Sequence, residues 1–270
     1  MTLFAQSATT IGAILVTMAL VAWIETVIPL HLGERASRSH VVPNLALTFI
    51  TFGTNVFLNA ALVSALVVLA NHGFGILNAL PLPPLAAGAV TILVLDFSFY
   101  VAHVAMHKVP AFWSYHVVHH CDPVCDVTTT IRQHPGEGVI RYAFLAVFAF
   151  AIGAGPVAFA VYRAWSALNG LLEHANIRVP SWLDGLLSLV TTWPNMHKVH
   201  HSRVREETDS NYGNLFSFWD RMFRTFTPAS RGTDIRYGID GFDEAETQTT
   251  KGLLWLPFRE DARRAQVHSK

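Results

Sequence analysis

The stretch PLAAGAVTILVLDFSFYVAH, residues 84 to 103, carries a single charged side chain, Asp96, and ends on a histidine. As an α-helix it is long enough to cross a bilayer core of about 30 Å, which takes roughly 20 apolar residues. Upstream, no Asp, Glu, Lys or Arg occurs from Ser39 to Leu95, and a soluble fold could hardly solvate a surface drawn from so long an uncharged run. Two further segments, 8–30 and 44–70, also have the length and composition of spans. Downstream, an apolar stretch from Tyr142 to Leu168 is interrupted by GAGP at 153–156. A Gly-Pro break favours a tight helical hairpin, with one kinked span as the alternative.

The reading is therefore all-α: a membrane bundle of about four spans, the last a broken hairpin, with a histidine-rich cap. Composition agrees, since 51% of the chain is hydrophobic and 14% charged, against a charged share of roughly 25% in soluble domains. Most of the charge lies beyond His197. Three regions follow: N-terminal spans over 1–83, a catalytic region over 84–226, and a polar C-terminal tail over 227–270 with a short helix near Glu260 to Val267. The N-terminus has no basic region or small-residue cleavage site, so residues 8–30 read as a retained span. Arg35 and Arg38 in the first connection, and Lys108, Arg132 and Arg141 in the third, place those connections and the cap on the cytoplasmic face. Net charge is zero and no Lys/Arg run exists, which argues against a nucleic-acid partner. Cys121 and Cys125 are too few for a disulfide framework and read as reduced bystanders.

Chemistry concentrates in the histidines. His103 and His107 are four apart; His116, His119 and His120 keep i, i+3, i+4 spacing, as do His197, His200 and His201. Each set projects from one helical face. One divalent metal usually takes four to six ligands, so eight imidazoles argue for two metals sharing a site. His134, in RQHPGE, and His174, in LLEHANI, are candidate ninth and tenth ligands. His31, His40, His72 and His268 lack a partner at helical spacing and are assigned no role.

A cationic dimetal centre calls for carboxylates that orient the ring N–H groups. Asp96, Asp122, Glu137, Glu173, Asp209 and Asp220 lie near the clusters in sequence, and Asp96, Asp122 and Asp209 are the preferred orienting residues. A carboxylate inside a membrane helix is costly, so Asp96 is expected to pair with a ligand histidine. Glu25 is expected to pair with Arg35 or Arg38.

Seven segments in order resemble the fatty acid hydroxylase and sterol desaturase superfamily of integral-membrane diiron oxygenases. They are DFSFYVAHVAMH (96–107), FWSYHVVHHCDP (112–123), TTTIRQHPGE (128–137), HANI (174–177), MHKVHHS (196–202), DSNYGN (209–214) and FWDRMFRT (218–225). The resemblance implies two iron ions on the ten histidines at 103, 107, 116, 119, 120, 134, 174, 197, 200 and 201. It also implies O2 as co-substrate and attack on an unactivated C–H bond of a lipid, giving an alcohol or a double bond. The downstream residues Asp209, Asn211, Tyr212, Gly213 and Trp219 to Arg221 match a motif that shapes the site. Lys108, Cys121 and Arg224 depart from the family's usual Arg, Ser and Gly. No G-x-G-x-x-G and no four-cysteine set is present, so the two electrons imply a separate donor: a b-type cytochrome, a ferredoxin or a reductase. Two other readings of the residues stay open: a dizinc membrane lipid hydrolase, and a membrane metal-binding or transport protein.

Overall fold

The computed structural model describes residues 3–31, 38–230 and 234–265, and among these the regular structure is helical, joined by two isolated β-bridges, Pro29 to Ile177 and Thr191 to Phe216. Five long helices form the body: α1 (Leu3–Val27), α2 (Val41–Asn71), α3 (Pro84–Lys108), α5 (Pro135–Ile152) and α6 (Pro156–His174), with the shorter α4 (Pro110–His120) between α3 and α5. Smaller helices build the cap: α7 (Ser181–Leu187), α8 (Pro194–His200), α9 (Arg205–Thr208), α10 (Phe218–Met222), α11 (Thr250–Trp255) and α12 (Glu260–Arg264). Proline occupies the first turn of α3, α4, α5, α6 and α8. Its fixed φ suits that position, and its missing N–H would have had no intrahelical partner there.

Helices α1, α2, α3 and α5 are long and apolar enough to cross a membrane. The fourth span thus runs from Pro135, earlier than the 142–168 stretch, and stops at Ile152 just before GAGP. Gly153 takes the left-handed conformation (φ +68°), where a Cβ would stand 2.4 Å from the Phe74 carbonyl oxygen. The chain does break there, but α5 and α6 do not form the tight hairpin expected. Both pack chiefly on α3, because α3 presents apolar side chains to each, and Arg163 of α6 reaches the Tyr142 hydroxyl of α5.

The membrane core joins Leu62 and Leu66 of α2, Leu95 of α3, Leu145 and Ala149 of α5, and Phe159 and Tyr162 of α6. Trp23, Phe57, Leu85, Val147 and Val157 point outward and are exposed, the disposition of a lipid-facing surface. Lipid is as apolar as leucine, so burial alone does not drive such helices together; close packing and polar links do. The links are visible. Glu25 Oε1 accepts from the Val127 and Asn176 amides, each at 2.8 Å, which fixes the cap end of α1. Arg35 and the Arg38 side chain lie outside the described residues.

The C-terminal region is a packed part of the molecule. Phe242, Leu253, Leu256 and Ala262 bury themselves against Trp113, Val117 and Val118 of α4. Arg132, fully buried, ties the layers by donating to Val118 O (2.8 Å), Asn44 Oδ1 (2.8 Å) and Gln248 Oε1 (2.8 Å). The expected helix near 260 is α12, and α11 precedes it.

Candidate metal centre

Nine histidines from four helices converge in two buried groups. His103 and His107 come from the end of α3, His116 and His120 from α4 and His200 from α8; one ring nitrogen of each lies within 4.8 Å of the others. The second group is His119 of α4, His174 at the last residue of α6, and His197 and His201 of α8 and its cap, within the same limit. The i, i+3, i+4 spacing explains the division. His119 points to one side of α4 while His116 and His120 share the other, and the α8 triplet divides likewise.

Inside each group lone-pair atoms face one another. His116 Nε2 is 3.1 Å from both His103 Nε2 and His120 Nε2, and His174 Nε2 is 3.1 Å from His119 Nε2 and His197 Nε2 and 3.2 Å from His201 Nε2. Three outer nitrogens are anchored on backbone carbonyls, whereas Nδ1 of His116, His119, His120 and His197 is buried without a hydrogen-bond partner. Nδ1 of His103 donates to Tyr212 O at 2.9 Å, Nδ1 of His200 to Ser210 O at 2.7 Å, and Nδ1 of His174 to Gly170 O at 2.8 Å. A proton fixed on Nδ1 leaves Nε2 as a lone-pair donor aimed inward, the state a metal requires. Nε2 of His107 and of His200 is buried without a hydrogen-bond partner. Such an orphaned lone pair costs about 1–3 kcal/mol unless something fills the centre. The donor set, its burial and these orphaned atoms fit a pair of transition-metal ions.

Electrostatics agree. Burial, reinforced by neighbouring imidazoles, holds His119, His120, His197 and His201 well below the ordinary histidine range, and burial pushes His200 down to about 3. These rings are neutral at pH 7 and free to ligate.

One loop orients several of them, and two carboxylates stand nearby. The loop 209–214 supplies Asp209, 3.3 Å from His107 Nδ1, along with the Ser210 and Tyr212 carbonyls. Asp209 is itself held by Lys108 at 2.8 Å and Arg205 at 3.0 Å. Asn211 adopts a left-handed φ of 55°, which asparagine tolerates, and its amide donates to Met196 O and Thr227 O. Asp220 accepts from the Tyr212 and Gly213 amides at 2.8 and 2.9 Å; burial raises it to about 6 despite these bonds. A Cβ at Gly213 would meet Phe216 O at 2.7 Å, so glycine is needed there. Glu137 of α5 stands 3.3 Å from His116 Nδ1, and Glu173 of α6 stands 3.9 Å from His197 Nε2.

Several expected roles fall elsewhere. His134 caps α5, its Nδ1 accepting from Gly136 N at 2.9 Å while Nε2 faces Leu254 O at 3.2 Å; both ring nitrogens are engaged and it joins neither group. Asp96 holds backbone and indole, accepting from Leu215 N, Phe216 N and Trp219 Nε1 at 3.0, 3.2 and 2.9 Å, so it supports the loop behind the ligands. Asp122 faces His40 at 3.3 Å and Asn44 at 2.8 Å, and that imidazole belongs to no metal group. His40, given no role from sequence, is 4% exposed and joins Asp122 and Asp126. His31 packs edge-on against Tyr237, His72 is exposed, and His268 lies outside the described residues. The carbonyls of Ser210, Tyr212 and Gly170 were missed because a backbone acceptor leaves no mark in the sequence.

Beside the two groups lies a cavity of about 560 Å³ reached by His103, His116, His119, His174 and His197. Its walls come from α1, α2, α3, α5 and α6, so it continues from the histidines into the membrane body.

A bundle of membrane helices carrying two buried polyhistidine groups at one end defines an integral-membrane, histidine-box protein whose clusters could hold metal ions. The chain belongs to the fatty acid hydroxylase family, whose model matches residues 88–225, just over half of it. Among curated proteins it is 34% identical to an alkylglycerol monooxygenase of Caenorhabditis elegans over 60% of this chain and 30% of the relative. It is 30% identical to the ornithine lipid hydroxylase OlsE of Rhizobium tropici over 69% of this chain and 55% of the relative. A cholesterol 25-hydroxylase-like protein of Danio rerio is 27% identical over 51% of this chain and 54% of the relative. The chain thus spans between about a third and just over half the length of these relatives. No solved structure gives a significant match.

Proposed function

We propose that this protein is an O2-dependent diiron enzyme that hydroxylates or desaturates a C–H bond of a membrane lipid. The observation that carries the reading is the opening of the membrane cavity onto both histidine groups. His103, His107, His116, His120 and His200 would hold one iron, and His119, His174, His197 and His201 the other. The iron pair would supply O2 activation and the oxidising power needed for an unactivated C–H bond. In hydroxylation one oxygen atom enters the C–H bond and the other leaves as water, consuming two electrons and two protons. A separate b-type cytochrome, ferredoxin or reductase on the cytoplasmic side would deliver the electrons.

The chain's own residues do the rest. Tyr212 O, Ser210 O, Gly170 O and Asp209 keep His103, His200, His174 and His107 in one tautomer and orientation. Apolar walls from α1, α2 and α5 hold an acyl chain or ring and exclude water from the reacting carbon. The names of the relatives favour lipid hydroxylation over the dizinc hydrolase and transporter readings.

The test is purified protein in nanodiscs with an artificial reductant under 18O2. The expected result is a lipid product carrying 18O, or a new double bond, with about two irons bound per chain. Lipid turnover that persists without O2 and reductant would overturn the proposal.

A further inference from the structure

The membrane cavity is not uniformly apolar. Two guanidinium groups line it, Arg141 from α5 and Arg163 from α6. Arg141 lies over the Phe99 ring, 4.4 Å from its centroid, and its ion pair with Glu137, one turn back, is 3.6 Å long and outside hydrogen-bond reach. Glu137 stands 3.3 Å from His116 Nδ1. Arg141 is therefore two contacts from a metal-site imidazole, with its fork of N–H donors uncommitted among the described residues. Arg163 gives one donor to the Tyr142 hydroxyl at 3.1 Å and stacks over that ring at 5.0 Å. Glu173 also lines the cavity, but its carboxylate accepts from Asn169 and faces His174 and His197.

Charged side chains within membrane segments are costly and tend to face a ligand path. A guanidinium matches the paired oxygens of a carboxylate or phosphate, and its attraction is strongest where water is excluded. The remaining wall, with Ile11, Ile14, Val56 and Val63, suits hydrocarbon.

We propose that Arg141 and Arg163 form a subsite for the anionic group, carboxylate or phosphate, of the lipid substrate. The polar end then sits beside the metal centre and the chain extends away along α1 and α2. The carbon attacked lies within a few bonds of the anionic group and not at the far end of the chain. This substrate class rests on the lipid-oxygenase reading above.

Binding separates the two claims. The full chain in detergent is titrated with oleic acid against methyl oleate, and with dioleoyl phosphatidic acid against dioleoylglycerol. The expected result is at least tenfold tighter binding of an anionic probe than of its neutral counterpart. Arg163→Gln and Arg141→Gln should cut that ratio below threefold while neutral probes bind as before, and Arg141→Lys should restore part of it. The two pairs tell carboxylate from phosphate. Equal binding of both members of both pairs by the unmodified protein overturns the subsite even if no variant folds, as does a preference that survives both Gln substitutions. Anionic preference without O2-dependent turnover would leave the subsite and remove the oxygenase; turnover of neutral lipids without anionic preference would do the reverse.

Discussion

His119 and His174, 55 residues apart in the chain, bring their Nε2 atoms to 3.1 Å of each other. One ring comes from α4 and the other from the last residue of α6, so the second histidine group exists only when α6 is docked on α3 and the cap. His174→Ala should lower bound iron from about two per chain to about one, read by elemental analysis of the purified protein. His134→Ala, which removes a helix cap and no ligand, should leave iron unchanged. Equal losses in the two variants would show that His134 ligates after all.

Asp209 sits behind His107, held in turn by Lys108 and Arg205. Asp209→Asn should weaken metal retention by roughly 10- to 100-fold, the usual effect of removing a carboxylate behind a ligand imidazole. Chelator competition measures this directly. An unaltered competition curve would mean that the backbone carbonyls alone set the ring orientations.

Asp96 accepts three hydrogen bonds from the 215–219 segment. Asp96→Ala would strand two buried amides and the Trp219 indole, costing on the order of 3 kcal/mol or more. Thermal unfolding in mild detergent should show a clear drop in midpoint, with Asp96→Asn intermediate. A melting curve superimposable on that of the unmodified protein would rule out Asp96 as an anchor.

His40 gives a pH signature. Burial opposes its charge, but Asp122 and Asp126 outweigh that and raise it above the ordinary value of 6.5. A histidine raised on folding binds its proton more tightly in the native state. Its contribution is therefore complete below pH 6.5 and fades as pH rises through the folded value. Unfolding midpoints should fall as pH rises above 6.5, and His40→Gln should flatten that slope. Asp122, for which burial alone would raise the value, is held below 3.8 by Arg132 and His40, so its contribution is lost only in stronger acid. A slope unchanged in the His40→Gln protein would refute the assignment.

The spans were legible because bilayer thickness imposes a length and lipid imposes apolarity, and both are properties of consecutive residues. The eight boxed histidines were legible for a similar reason: i, i+3, i+4 spacing is local geometry. His174 was a candidate only by its place after an apolar stretch, and His134 looked equally good. Their fates differ because one ends α6 inside the cluster and the other begins α5 beside Leu254. Asp96 and Asp122 were misjudged for the same cause. Proximity in sequence to a histidine does not determine what lies across the helix, and loops from 119 residues downstream and from 82 residues upstream reached Asp96 and Asp122 first.

By itself the sequence determined the membrane-embedded all-helical class and a centre rich in neutral imidazole, since hydropathy and helical spacing are encoded in adjacent residues. Only the tertiary structure decided the division of nine histidines into groups of five and four, the carbonyls that fix the tautomers of His103, His174 and His200, and the packing that sets Glu137 of α5 beside His116 of α4. Those features depend on how α4, α5, α6 and α8 gather against α3, and long-range packing of that kind leaves no periodic trace in a chain.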